Sequence, residues 1–178
     1  MLTYTIVPTR WGFSGLVYSG AGLCGLLLPE STEAAVHRWL RLAWPQAIPD
    51  ERRDLAMRIQ LQAYFDGEPV LVFRCGLDLS RLTRFGRAAL EACRTIEYGH
   101  TATYGELARW IGLPRAARAV GAALARNPVP LAVPCHRVIA SDGSLCGFSS
   151  SCGVDMKRRL LEMEAEALKS GKGAESNR

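Results

Sequence analysis

Alternating hydrophobic and polar residues at the start of the chain predict β-strands. Leu2, Tyr4 and Ile6 alternate with threonines, which is the period of two expected of a strand with one buried face. The apolar stretch from Leu16 to Leu28 follows an arginine, but serines and glycines interrupt it, so strands fit it better than a cleaved leader. Strands are therefore predicted over residues 2–6, 13–18, 22–28 and 70–73.

Two helices are predicted between these strands. Ser31 has a side chain suited to an N-cap and precedes the first helix. Asp50 caps the second helix, in which Leu55, Ile59 and Ala63 recur on one face. Together, these strands and helices predict a small α/β domain at the N-terminus.

The second half of the chain has a mainly helical pattern. Thr103 and Glu106 have the spacing of a capping box, which begins a helix that Gly112 ends. A second helix is predicted from Pro114 to Ala125, and the two form the pattern of a helix-turn-helix. A last helix is predicted over residues 155–168.

These patterns predict an α+β protein in two parts. We expect a small N-terminal α/β domain over 1–80, a mainly helical C-terminal domain with a helix-turn-helix over 81–169, and a disordered tail over 170–178. No apolar run has the length of a membrane span. We therefore expect no membrane partner and a cytoplasmic location, or a nuclear one in a eukaryote.

Charge is distributed unevenly between the two predicted domains. Residues 1–80 carry 7 Lys and Arg against 8 Asp and Glu, and residues 81–178 carry 15 against 9, so the net charges are −1 and +6. A basic half favours contact with a polyanion such as nucleic acid. A basic surface that is merely solvated is the alternative.

Six cysteines are spread along the chain without a C-x-x-C pair. In a chain of 178 residues, this spacing favours neither a disulfide scaffold nor a zinc site. We therefore expect reduced thiols and no metal.

One cysteine has the context of a reactive thiol. Cys135 lies in Pro134-Cys135-His136-Arg137, and a thiol becomes nucleophilic only where a neighbour favours its anion. We predict a strand-like segment, on which Cys135 and His136 point to opposite faces and need a bridging water or a kink to cooperate. Glu164 falls on the apolar face of the last helix, where a carboxylate needs a partner such as a histidine. The alternatives are a cysteine that only packs and a glutamate at the edge of that face.

Alanine and glycine dominate the predicted helix that precedes this thiol, so its backbone can approach another molecule closely. Arg115 and Arg118 are three residues apart and share a helical face. Small side chains and paired arginines favour contact with a nucleic-acid groove. A tightly packed core helix is the alternative interpretation.

The motifs of the second half match one protein family in order and nearly without gaps. They are Thr103-Tyr104-Gly105-Glu106-Leu107-Ala108, Ala116-Ala117-Arg118-Ala119-Val120-Gly121, Arg126-Asn127-Pro128-Val129-Pro130, Val133-Pro134-Cys135-His136-Arg137-Val138-Ile139, Ser141-Asp142-Gly143-Ser144-Leu145 and Lys157-Arg158-Arg159-Leu160-Leu161-Glu162-Met163-Glu164. The sequence resembles the O6-alkylguanine-DNA alkyltransferases, or methylated-DNA–protein-cysteine methyltransferases, over about residues 85–164. The first 80 residues match loosely, chiefly over 61–67.

The resemblance implies a DNA-repair protein that reacts once. Duplex DNA containing O6-alkylguanine would be its partner, with O4-alkylthymine as a further candidate substrate, and the alkyl group would move to a cysteine and stay there. The base must leave the stack for this, because stacking hides the modified oxygen. The resemblance also implies a ribonuclease-H-like N-terminal domain, a monomer, and no cofactor.

Roles for individual residues follow from the same resemblance. Cys135 would accept the alkyl group, His136 would draw off the thiol proton through a water, and Glu164 would orient and charge the imidazole. Asn127 would brace the active turn, and Tyr104 would crowd the adjacent phosphate and help protonate the departing guanine. The residues implied to contact DNA are Tyr104, Arg115, Arg118 and Ala119, with Arg118 filling the gap left by the flipped nucleotide. The residues implied to line the substrate pocket are Pro130, Val138, Phe148 and Ser149.

Two interpretations from other functional classes remain. A non-catalytic protein that binds alkylated DNA and recruits another pathway is suggested by Ser150-Ser151-Cys152, because the family has glycine in this loop and side chains there narrow the pocket mouth. An unrelated cysteine hydrolase would use the Cys and His pair but gives no account of the helix-turn-helix pattern.

Overall fold

The computed structural model describes residues 1–147 and 153–170. The chain forms two compact units, Met1–Leu79 and Ser80–Arg178. A sheet with two helices forms the first and helices dominate the second, so the protein has the predicted two-part α+β organisation. Within the described ranges, no helix combines the length and the apolar character needed to cross a membrane. Apart from its first residue, the tail predicted at 170–178 lies outside the described residues.

A four-stranded sheet in the order β3-β2-β1-β4 is the base of the first unit. Its strands are β1 (Thr3–Thr9), β2 (Gly12–Ser19), β3 (Gly22–Glu30) and β4 (Ile48–Pro49). The first three pair antiparallel, and β4 runs parallel to β1. The turn between β2 and β3 requires glycine at Gly22, where φ is +143° and a Cβ would lie 2.4 Å from the carbonyl oxygen of Gly76.

Two helices accompany this sheet, and each begins later than predicted. Helix α1 covers Glu33–Ala43 and α2 covers Leu55–Phe65. Their N-cap residues are Thr32 and Asp54, whose side chains accept hydrogen bonds from main-chain N–H groups of the first turn, so the prediction of Ser31 and Asp50 was wrong.

Helix α2 also buries a different face from the predicted one. Leu55 and Ile59 are 62% and 56% exposed, so the face assigned to them and Ala63 was wrong. The buried residues of α2 are Met57, Leu61, Tyr64 and Phe65. Two aromatic rings remove more apolar area from water than two aliphatic side chains, which favours this face.

The strand predicted over residues 70–73 is irregular. Leu71 and Val72 are 46% and 65% exposed, and nearby the main-chain N–H of Arg74 donates to the side chain of Gln60 at 2.7 Å. The fourth strand of the sheet is β4 instead, so the prediction was wrong. An apolar run forms a strand only where a neighbouring edge can pair its main chain.

Three helices pack against one another in the second unit. They are α3 (Arg84–Cys93), α4 (Tyr104–Trp110) and α5 (Ala117–Leu124). The predicted capping box is confirmed: the carboxylate of Glu106 accepts from the N–H of Thr103 at 2.7 Å, and the Thr103 hydroxyl accepts from the N–H of Glu106 at 3.1 Å. Gly112, at φ +76°, follows the end of α4 as predicted.

Helix α5 is shorter than the predicted helix from Pro114 to Ala125. It begins after Ala116, whose backbone (φ −93°, ψ 16°) is not helical. Arg115 therefore precedes the helix, whereas Arg118 lies in its first turn. The prediction that these two arginines share one helical face was wrong.

A short parallel sheet joins the start of α4 to the segment that contains Cys135. Strand β5 (Ala102–Thr103) pairs with β6 (Val138–Ile139). Helix α6 covers Gly153–Lys169, close to the predicted 155–168, and Glu164 lies fully buried on it. The prediction that this carboxylate belongs to the inner face of the helix is confirmed.

Candidate active site

Cys135 lies in a single 3₁₀ turn, Cys135–Arg137, that leads directly into β6. The N–H of Cys135 donates to the carbonyl of Val133 at 2.8 Å, and that of Arg137 donates to the carbonyl of Pro134 at 2.9 Å. The prediction of a strand was wrong here. Proline cannot donate to a strand ladder, so the chain coils at this point and the two-face alternation of a strand does not apply to Cys135 and His136.

Asn127 fixes the sulfur of Cys135. Its Nδ2 donates to Cys135 Sγ at 3.1 Å and to the carbonyl oxygen of Val133 at 2.9 Å, and its Oδ1 accepts from the N–H of Val129 at 3.1 Å. The Cys135 side chain is buried, with 9% of the residue exposed. Burial raises the pKa of this thiol, while the Asn127 hydrogen bond and the positive charge of Lys157 favour the thiolate.

Four hydrogen bonds converge on the buried carboxylate of Glu164. His136 Nε2 lies 2.8 Å from Oε1, and Arg137 donates through Nη2 to Oε1 and through Nε to Oε2, both at 2.9 Å. The main-chain N–H of Gly99 donates to Oε2 at 3.0 Å. The remaining Nη1 of Arg137 donates to the carbonyl of Ile96 at 2.8 Å. This network ties α6, the 3₁₀ turn and the segment after α3 together.

The charges of this network follow from its contacts. Burial alone would raise the pKa of Glu164, but its bonds to His136 and Arg137 hold that pKa far below the ordinary range. Burial lowers the pKa of His136, against the hydrogen bond and charge of Glu164. Because Arg137 supplies the positive partner of the carboxylate, His136 can stay neutral. Since Nε2 contacts Glu164, a second proton on the ring would be carried by Nδ1.

A cavity of about 720 Å³ is lined by the start of α4, by α5 and by the segment that follows β6. Its walls include Tyr104, Arg118, Gly121, Ala125, Ser141 and Cys146. The small side chains of α5 leave space for this cavity, which is a reason for the alanine-rich sequence of the helix. Cys135 is not among the lining residues, but its thiol is close enough to Tyr104 to raise the pKa of the phenol, after burial and the thiol of Cys146. Tyr104 therefore keeps its proton at neutral pH.

The other predicted site residues differ in their exposure. Arg115, Arg118 and Ala119 are exposed around the start of α5. Pro130 and Val138 are buried near the 3₁₀ turn. The predicted pocket residues Phe148 and Ser149, and the serine-rich loop after them, lie outside the described residues.

Two buried cations were missed by reasoning from sequence. Arg137 is 4% exposed and Lys157 is 1% exposed. The signal for Lys157 was present, because it precedes Leu160 by three residues and Glu164 by seven and so shares their helical face. Arg137 lies in an otherwise apolar segment, where a charged side chain needs a buried partner.

This chain is similar to known proteins of one family. A family profile described as 6-O-methylguanine DNA methyltransferase, DNA binding domain, matches residues 84–166. The methylated-DNA–protein-cysteine methyltransferase of Mycobacterium tuberculosis strain H37Rv is 50% identical over 164 residues, which cover 92% of this chain and 93% of that protein.

Solved structures give the same likeness. The crystal structure of the Mycobacterium tuberculosis O6-methylguanine methyltransferase has a TM-score of 0.77 at 39% identity, with 94% of each chain covered. The structure of Mycobacterium tuberculosis OGT in complex with DNA has a TM-score of 0.77 at 38% identity, over 93% of this chain and 94% of that one. At 50% identity over 92% of its length, this chain belongs to the methylated-DNA–protein-cysteine methyltransferase family.

Proposed function

We propose that this protein repairs duplex DNA by moving the alkyl group of O6-alkylguanine to the sulfur of Cys135, once per molecule. The observation that carries the proposal is a thiol held by Asn127 beside a buried His136–Glu164 pair. A cavity that Tyr104 and Arg118 help to line offers space for a base outside the helix.

The reaction balances with the groups at this site. The thiol proton leaves Cys135 through a water to Nδ1 of His136, and Glu164 stabilises the imidazolium that forms. The thiolate attacks the alkyl carbon, so an S–C bond forms while the C–O6 bond breaks and its electron pair stays on the purine. Tyr104 offers a proton to the departing base, and the proton taken by His136 restores the balance, leaving guanine and a thioether.

DNA would approach through α4 and α5, which we assign as a helix-turn-helix. The two helices pack together around a short turn at Gly112, and the exposed start of α5 carries Arg118 and Ala119. Arg118 would fill the gap left by the flipped nucleotide, with Arg115 on phosphates beside it. Tyr104, on α4, would crowd the adjacent phosphate.

Val138 and Pro130, both buried, would line the space for the base. Phe148 and Ser149, to which the same role is assigned from the sequence, lie outside the described residues. We assign the N-terminal unit a ribonuclease-H-like fold, supported by a three-stranded antiparallel meander extended by a parallel strand. The protein would act as a monomer in the cytoplasm, or in the nucleus of a eukaryote.

Mass spectrometry of the protein after incubation with an O6-methylguanine duplex tests the function. We expect one methyl group on the peptide that contains Cys135, and none in Cys135→Ser. Cys146→Ser is the matched control, because this exposed thiol lines the cavity and its loss should leave the transfer intact. Tight binding of the lesion duplex without methylation would instead support the non-catalytic alternative.

A further inference from the structure

Lys157 is a fully buried lysine on α6 whose role is not explained by the packing of that helix. Its Nζ donates to two main-chain carbonyl oxygens, that of Val138 at 2.5 Å and that of Cys146 at 3.3 Å. Among the described residues, no salt bridge includes this ammonium. It also lies 5.9 Å from the centre of the Tyr104 ring.

Burying this ammonium group costs free energy, because the group loses strong hydration. A buried lysine therefore calls for an interaction that depends on its charge. The titratable groups that face Lys157 come from four parts of the unit: Cys93 on α3, Tyr104 on α4, Cys135 and His136 in the 3₁₀ turn, and Cys146. Burial lowers the pKa of Lys157, whereas the thiols of Cys135, Cys146 and Cys93 act to raise it.

Among these groups, Cys135 is the one whose anion the proposed reaction requires. Cys93 is fully buried and its pKa is raised strongly by burial, so it stays protonated. Cys146 is exposed, so water solvates its sulfur. A fixed positive charge on α6 therefore has its largest consequence at Cys135.

We propose that Lys157 is a positioning residue of the alkyl transfer, whose buried ammonium stabilises the thiolate of Cys135 and holds the main-chain carbonyl of Val138 in place. The inference deepens the proposed function and rests on it. Val138 follows the 3₁₀ turn directly, so the bond from Lys157 fixes the end of the segment that carries the thiol.

Lys157→Met separates this role from simple packing, because methionine has nearly the same length but no charge. Cys135 is labelled with iodoacetamide over a range of pH, and the labelled peptides are resolved by mass spectrometry. Loss of a nearby cation makes the thiolate scarcer, so we expect labelling of Cys135 at neutral pH to slow by about tenfold or more. The rate should recover at alkaline pH, where the thiol ionises without help.

Arg158→Met is the matched control, since it removes one positive charge from the same helix at the surface. The Arg158 side chain is 53% exposed and pairs with Asp155. We expect its labelling profile to coincide with that of the wild type. A Lys157→Met profile that coincides with the wild type, or that is reduced equally at every pH, would overturn the proposal.

Lys157→Gln distinguishes charge from hydrogen bonding and decides the matter if the methionine variant does not fold. Glutamine can still donate to the Val138 carbonyl, so wild-type labelling in this variant would refute the electrostatic role. Methyl transfer from an O6-methylguanine duplex is measured in parallel. If the wild type transfers no methyl group while the labelling profiles still differ, the proposed function fails and the effect of Lys157 on the thiol stands.

Discussion

Glu164→Gln is the change that most directly probes the buried network behind the thiol. Glutamine occupies the same volume, but it replaces one acceptor oxygen with an NH₂ group that cannot accept a hydrogen bond. The wild-type carboxylate accepts from His136, twice from Arg137, and from the N–H of Gly99. At least one of these donors then faces another donor.

The magnitude follows from burial. Arg137 is 4% exposed and Glu164 fully buried, so the substitution leaves a buried guanidinium without its counter-charge. Breaking a buried ion pair from one side costs about 3–5 kcal/mol. A domain is stable by only about 5–15 kcal/mol, so we expect the second unit to lose a large share of its free energy of unfolding.

The sign of the pH dependence follows from the depressed pKa of Glu164 in the folded protein. Its ionised form stabilises the fold fully above the ordinary pKa of 4.5, and this contribution disappears as the pH falls from there towards the folded value. The stability difference between wild type and Glu164→Gln should therefore be constant near neutral pH and shrink below 4.5.

Urea denaturation followed by circular dichroism measures this difference at each pH. Glu162→Gln is the control, since it makes the same chemical change at an exposed position of α6. Alkyl transfer by Glu164→Gln should slow by at most the ~10²–10⁴-fold that general base catalysis contributes. Equal stability of the two variants, or a difference that persists unchanged in acid, would refute the assignment of Glu164 as the ionised partner of Arg137.

Two further changes test the thiol and the DNA surface. Asn127→Ala removes a donor to Cys135 Sγ, so the pKa of the thiol should rise and transfer should slow most at neutral pH; unchanged pH profiles would contradict this. The lost bond to Val133 should also cost about 1–3 kcal/mol in urea denaturation. Arg118→Ala should weaken binding to duplex DNA by about 1–3 kcal/mol and so slow repair of the duplex. The reaction with free O6-methylguanine base should keep its rate. Equal slowing on both substrates would exclude the proposed role of Arg118 in filling the gap left by the flipped nucleotide.

Local patterns predicted the elements whose structure depends on local contacts. The period of two at Leu2, Tyr4 and Ile6 predicted β1, and the spacing of Thr103 and Glu106 predicted the start of α4. In both cases the partners lie within a few residues, so spacing alone carries the information. The three-residue spacing of apolar positions likewise placed Glu164 inside α6.

Other features depend on partners far away in sequence, which spacing does not reveal. Residues 70–73 are as apolar as the residues of a buried strand, yet the strand that pairs with β1 at the edge of the sheet is β4. Arg137 can be buried because the carboxylate of Glu164, 27 residues later, accepts its hydrogen bonds. The 3₁₀ turn at Cys135 combines a local cause, Pro134, with bonds from Asn127 that no periodic pattern contains.

The arrangement of charges explains why the site needs two cations of different kinds. Arg137 donates hydrogen bonds to both carboxylate oxygens of Glu164, so this pair is neutral as a whole. The pair can therefore orient His136 without requiring the imidazole to be protonated. Lys157 donates only to carbonyl oxygens among its hydrogen-bond partners in the described chain, so its positive charge is not cancelled. Ionisation of Cys135, whose proton passes to His136 beside this pair, supplies the negative charge that balances Lys157. The thiolate thus completes the electrostatics of the site, whereas a second carboxylate near Lys157 would compete with it.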